Sequence, residues 1–208
     1  MKALLERSLE AGMTYPAYFK LMTELVEAGK TTGPNQSETM AHYTKMNLQR
    51  MSRLDKKVAL DPTLVEAFSA IPGEYVWLVI TEAWCGDAAQ IVPVFNALVG
   101  QLPQVELSLV LRDELPELMD QFLTNGSRAI PKLIILEKES LAVVDTWGAR
   151  PAPAQVLVDA YKADPNRPPY AELSLSLQKW YNKDKNVTLQ QELLQLAQRL
   201  GARLAPAT

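Results

Sequence analysis

The stretch Tyr75-Val76-Trp77-Leu78-Val79-Ile80-Thr81-Glu82-Ala83-Trp84-Cys85-Gly86-Asp87-Ala88 decides the fold. Its first seven residues are a continuous, largely apolar run, the mark of a strand buried on both faces. From Gly86 to about Leu102 the pattern is helical, so Cys85 falls where a strand hands the chain to a helix. A thiol at that junction meets unpaired backbone N–H groups and the positive end of the helix dipole. Either effect lowers its pKa from a free value of about 8.5 and makes a thiolate nucleophile available near neutral pH.

Outward from this junction, residues 105–111 read as a second strand and 115–123 as a helix ended by Asn125-Gly126. Residues 132–137 and 142–147 are two further strands joined by a short polar turn, close enough to form a hairpin. Helix returns over 152–163. The order β-α-β-α-β-β-α over residues 71–163 predicts an α/β domain with a central mixed sheet. Residues 1–70 read as a helical N-terminal extension. Within it, 16–28 carries apolar spacing at Phe19, Leu21, Met22, Leu25 and Val26, and Gly29 closes it. A polar loop follows over 30–38, and Ser37 is placed to cap a long helix to about residue 57. Asp61-Pro62 opens a shorter helix, with Asp as N-cap and Pro at the first helical position. Residues 164–208 read as C-terminal helices, 168–181 and 188–204, packing on the domain. The aromatic groups Tyr15, Tyr18, Phe19, Trp180 and Tyr181 either pack these flanking helices or mark a partner surface.

The chain has 208 residues, 48% of them hydrophobic, enough for one packed domain with appendages. A net charge of −3 with scattered basic residues argues against nucleic acid as a partner. No apolar run approaches the roughly 18 residues of a membrane span, and the first residues carry charge within their apolar stretch, unlike a secretory signal. One cysteine permits neither an intrachain disulfide nor a multi-cysteine zinc site. The expectation is a cytoplasmic protein that holds no metal. Phosphate-binding, dinucleotide-binding and nucleophile-elbow motifs are all missing. The single histidine, His42, lies in a polar helical stretch and reads as structural or exposed.

Four features in this order are similar to the thioredoxin superfamily: the strand–Trp84-Cys85-Gly86–helix junction, Ile130-Pro131 immediately before a strand, the closing hairpin, and Gly148 after the last strand. The resemblance covers residues 71–163. Within the superfamily, Trp84-Cys85-Gly86-Asp87-Ala88-Ala89-Gln90 resembles a bacterial thioredoxin-like group with a modified, monothiol motif. The resemblance implies a thioredoxin-like fold with Cys85 as nucleophile. It implies a cis Pro131, and a substrate groove formed by Trp84, Gly86, Asp87, Ile130 and Pro131. Its implied partners are protein or peptide thiols and disulfides.

The chemistry of that family uses a second cysteine three residues after the first, and Ala88 occupies that position here. A mixed disulfide on Cys85 therefore needs an external thiol to release it, such as glutathione or another low-molecular-weight thiol acting as co-substrate. Asp87 stands where thioredoxins usually carry Pro; it suits a helix N-terminus, yet its charge opposes a nearby thiolate. The buried acid of the family falls at Val79 and is absent. These opposed effects predict a Cys85 pKa between those of a free thiol and an activated thioredoxin. Gln90 reads as a solvated residue. Three alternatives remain open on the residues alone: Cys85 as an inert buried thiol, Trp84 as core filler, and the whole domain as a catalytically silent peptide- or protein-binding module.

Overall fold

In the computed structural model, which describes residues 1–204, the four strands form one sheet in the order β2-β1-β3-β4. The last four residues of the segment 164–208 lie outside the described residues. Strand β1 (Tyr75–Thr81) is central and every one of its residues is buried, as its unbroken apolar run requires. Parallel β2 (Val105–Leu111) flanks it on one side, Tyr75 facing Val105 and Thr81 facing Leu111. On the other side β3 (Lys132–Glu137) runs antiparallel, Tyr75 facing Glu137 and Ile80 facing Lys132. The hairpin partner β4 (Val143–Gly148) completes the sheet, with an irregularity between Ile135 and Leu136.

That register positions the site. Because β1 and β3 are antiparallel, the residues just past the end of β1 lie beside those just before the start of β3. Cys85 and Ile130-Pro131, 45 residues apart in sequence, therefore meet at one end of the sheet. The Ile130–Pro131 bond is cis, as is Gly148–Ala149. Gly148 has φ +133°, and a methyl group there would collide with the Pro131 carbonyl, so the end of β4 can press against this loop only as glycine.

Helices cover both faces. The N-terminal segment supplies α1 (Lys2–Glu10), α2 (Tyr15–Glu27), α3 (Glu38–Leu54) and α4 (Pro62–Ser69). Asp61 caps α4 through Thr63 N–H at 2.9 Å, whereas Ser37 begins α3 without a side-chain cap. Between the strands lie α5 (Ala88–Val99) and α6 (Pro116–Gln121); α7 (Ala152–Ala163), α8 (Tyr170–Asp184) and α9 (Val187–Leu204) follow the sheet. Helix α3 packs on α5, α9 on α4, and α8 on α7, while α1 and α2 lie against β2. The outer edge of β2 is closed locally by Met13, which exchanges two 2.8 Å backbone hydrogen bonds with Leu109. One aromatic file, Phe68–Trp77–Phe95–Trp147, crosses the core edge-to-face at centroid separations of 5.1, 5.7 and 5.8 Å. At its end Trp147 Nε1 donates to Glu192 at 2.8 Å, and Glu192 also accepts from Ala152 N–H at 2.7 Å, fastening α9 to β4 and α7. Among the described residues no helix is long and apolar enough to cross a membrane.

Candidate functional site

Cys85 sits in the turn between β1 and α5. Its N–H reaches back to the Glu82 carbonyl at 3.0 Å, closing a tight turn. The sulfur accepts from Ala88 N–H at 3.4 Å, on the first turn of α5, and its S–H donates to the Ile130 carbonyl at 3.4 Å. Only 7% of the residue is exposed, and that part borders a cavity of about 440 Å³. Burial, and then the charge of Asp87, push the thiol up to about 12, overriding the opposing pull of Ala88 N–H and Arg150. The sequence-based expectation of an intermediate pKa is thereby corrected. The helix terminus does contribute, but desolvation outweighs it.

Asp87 also departs from expectation. It precedes α5, yet its carboxylate caps no backbone N–H. It turns instead to Arg150, whose Nη2 lies 2.9 Å and Nε 3.0 Å from Oδ2, while Tyr181 O–H donates to Oδ1 at 2.7 Å. Arg150 Nη1 donates in turn to Gln155 at 2.7 Å. Three segments distant in sequence, the motif, the start of α7 and α8, are thus joined at one buried carboxylate. Burial and Asp87 together hold the Tyr181 hydroxyl well above its ordinary pKa, so it remains a donor.

Gln90 is buried rather than solvated, because α8 lies over it. Its amide donates to Gln178 Oε1 at 2.7 Å, and Gln178 Nε2 reaches the Gly86 carbonyl at 3.4 Å. Trp84 is half-buried, borders the cavity and carries the Arg112 guanidinium 4.7 Å above its ring. Ile130 lines the cavity beside Cys85, while Ala88 is buried behind the sulfur. Val79 is apolar core, as its identity requires, but a buried acid stands three residues later. Glu82 is inaccessible, accepts from Thr32 Oγ1 and from Asp113 N–H at 2.8 Å, and has its pKa raised chiefly by burial. His42 is exposed on α3 and does not line the cavity.

Helices α3 and α8, with Arg112 and Asp113 after β2 and Arg128 and Ala129 before β3, build the remaining walls. Tyr43 and Arg50 come from α3, and Tyr170, Ser174 and Leu177 from α8. The sequence gives no site role to Arg50, Arg150 or Gln178, and marks Tyr181 only as an aromatic that packs a flanking helix or faces a partner; no local pattern points to the site. Each is a polar or aromatic residue on or beside a helix whose role depends on which segment folds against it.

This arrangement, a strand–Cys–helix turn beside an Ile-Pro loop at one end of a four-stranded mixed sheet, is a thioredoxin-like domain with additional helices. Residues 33–162 match the thioredoxin family, and the chain belongs to it. No curated protein matches the chain. Among solved structures, a protein of unknown function from Pseudomonas aeruginosa is 19% identical, with 89% of this chain and 98% of that one covered and a TM-score of 0.51. An HIV epitope scaffold is 17% identical, covering 94% and 100%, with a TM-score of 0.47. The likeness to the Pseudomonas protein is one of fold alone.

Proposed function

We propose that this protein carries out monothiol thiol–disulfide exchange through Cys85, with an external thiol resolving the intermediate. One observation carries the reading: the Cys85 sulfur lies 3.4 Å from the Ile130 carbonyl, beside Pro131, at the wall of a cavity large enough for a small substrate. In the forward step the Cys85 sulfur attacks one sulfur of a disulfide R–S–S–R′. A Cys85–S–S–R bond forms, the S–S bond of the substrate breaks, and R′–SH leaves with the proton released by Cys85. Ala88 supplies no second thiol, so a free thiol R″–SH attacks the mixed disulfide, giving R–S–S–R″ and returning Cys85 to its thiol form. Glutathione, or another low-molecular-weight thiol, suits that role in a cytoplasmic setting.

A second reading is favoured by a specific observation. Burial and the charge of Asp87 hold Cys85 in its protonated form at neutral pH, as suits a catalytically silent module that retains the cavity for binding. A glutathionylated peptide incubated with free glutathione separates the two. Exchange predicts release of the peptide thiol above the rate of a protein-free control, the excess being lost in Cys85→Ser and growing as pH rises from 7 to 10. A silent module predicts release no faster than that control at any pH, with peptide affinity unaltered by Cys85→Ser.

A further inference from the structure

We infer that the Cys85 cavity is selective for small carboxylate-bearing thiols and disulfides, with Arg50 as the residue that selects the negative charge. The inference deepens the exchange reading by naming the substrate class and the residue that recognises it.

Four arginines line the cavity, and three of them are already matched by acids. Arg150 pairs with Asp87 at 2.9 Å, Arg112 with Asp113 at 2.8 Å, and Arg128 with Asp120 through two bonds of 2.6 and 2.7 Å. Arg50 differs. Among the described residues it makes no salt bridge; its Nη1 donates to the Asn47 side-chain oxygen at 2.7 Å. The Asn47 amide in turn donates to the Ala83 carbonyl at 2.8 Å, in the turn that carries Cys85. This two-bond strut holds the guanidinium against the motif: a methyl group built on Gly86 would lie 3.8 Å from Arg50 Nη1. Burial above all, and then repulsion by the Arg53 charge, weakens its hold on its proton. A half-buried, prepositioned cation with an open side toward a cavity is suited to a carboxylate, which guanidinium binds bidentately through charge-assisted hydrogen bonds.

Size and shape narrow the class. A thioredoxin-type groove is open to an extended chain, but here Tyr43 and Arg50 from α3 and Tyr170, Ser174 and Leu177 from α8 line the space beside Cys85. The space of about 440 Å³ suits a molecule of a few residues, not the surface of a folded protein. With such a disulfide R–S–S–R, the reaction is Cys85–SH + R–S–S–R → Cys85–S–S–R + R–SH, which needs no further oxidant.

The test uses three small disulfides of different charge: glutathione disulfide (anionic), hydroxyethyl disulfide (neutral) and cystamine (cationic). Adduct formation on Cys85 is followed by intact mass at pH 8.5, and each rate is divided by that disulfide's rate with a free cysteine peptide. The wild-type protein is expected to rank them anionic, then neutral, then cationic, with the anionic preference shrinking at high salt. Arg50→Met should reduce the anionic-to-neutral ratio by about tenfold, the size of one charge-assisted contact, and Arg50→Lys should restore part of it. Equal normalised rates for the three disulfides on the wild-type protein overturn the inference and leave exchange standing. A separate arm removes the chemistry: calorimetry of S-methylglutathione, which cannot exchange, with Cys85→Ser. Binding there that weakens about tenfold on adding Arg50→Met supports anion selection even if no adduct ever forms, in which case the exchange reading falls alone. Absence of binding in this arm counts against the inference.

Discussion

Removing the Asp87 carboxylate should have two effects of opposite sign, which makes it the sharpest probe of the site. The side chains of Asp87 and Arg150 are only 8% and 12% exposed, so solvent screening does little to weaken their 2.9 Å contact. Truncating one partner of a buried pair leaves the other charge uncompensated and costs about 3–5 kcal/mol. Arg150 would retain Gln155 as an acceptor at 2.7 Å, and the adjoining cavity can admit water, so Asp87→Ala belongs near the lower end, about 3 kcal/mol. For a chain of this length that lowers Tm by about 6–12 °C. Asp87→Asn keeps an oxygen for the Tyr181 hydroxyl and should lose about half as much. Pairing Asp87→Ala with Arg150→Met removes the orphaned cation and should recover part of the loss. Meanwhile the Cys85 thiol should become more acidic, since an opposing carboxylate has gone and Arg150 is freed to favour the thiolate. Urea denaturation gives the first readout and the pH dependence of iodoacetamide alkylation the second. A loss under about 1 kcal/mol with an unchanged alkylation midpoint would refute the view that this carboxylate both joins α7 and α8 to the motif and restrains the thiol.

Three further outcomes follow from the same geometry. In the wild-type protein, alkylation of Cys85 should be slow at pH 7, where a thiol with a pKa of about 12 is ionised in about one molecule in 100,000, and should still be rising at pH 10; a plateau below pH 8 would contradict the burial argument. Gly148→Ala introduces a methyl against the Pro131 carbonyl at a φ of +133°, and should cost about 2–3 kcal/mol or prevent folding, read by thermal denaturation. Glu82 is protonated more readily in the native than in the unfolded state, so the native state binds more protons as pH rises past about 4.5. Its contribution to stability is therefore present below that pH and lost as pH rises through the native pKa. Glu82→Gln should flatten that decline in urea titrations between pH 4 and 7, and an unchanged slope would contradict it.

The strand pattern was legible because it is local. β1, β2 and β3 occupy residues 75–81, 105–111 and 132–137, as the sequence indicated; β1, buried at every residue, must be apolar throughout whatever packs on it, while the edge strand β2 can expose Glu106. The junction at Cys85 and the hairpin after Pro131 were legible for the same reason. The acidity of the thiol was not, because helix position, burial and a neighbouring charge oppose one another and only burial depth decides among them. Gln90 illustrates the point: its position on α5 could be read from the chain, but its burial depends on α8, 88 residues away at Gln178.

The sequence by itself determined the order of elements, the place of the lone sulfur at a strand–helix turn, and the loss of a resolving thiol at Ala88. The tertiary structure alone decided that Asp87 would face Arg150 and Tyr181 instead of capping its helix. It also decided that α3 and α8 would help wall a cavity beside Cys85 that four arginines line. The physical reason is range: hydrophobic periodicity and turn chemistry act within a few residues, whereas desolvation and charge pairing depend on which distant segments share the same small volume.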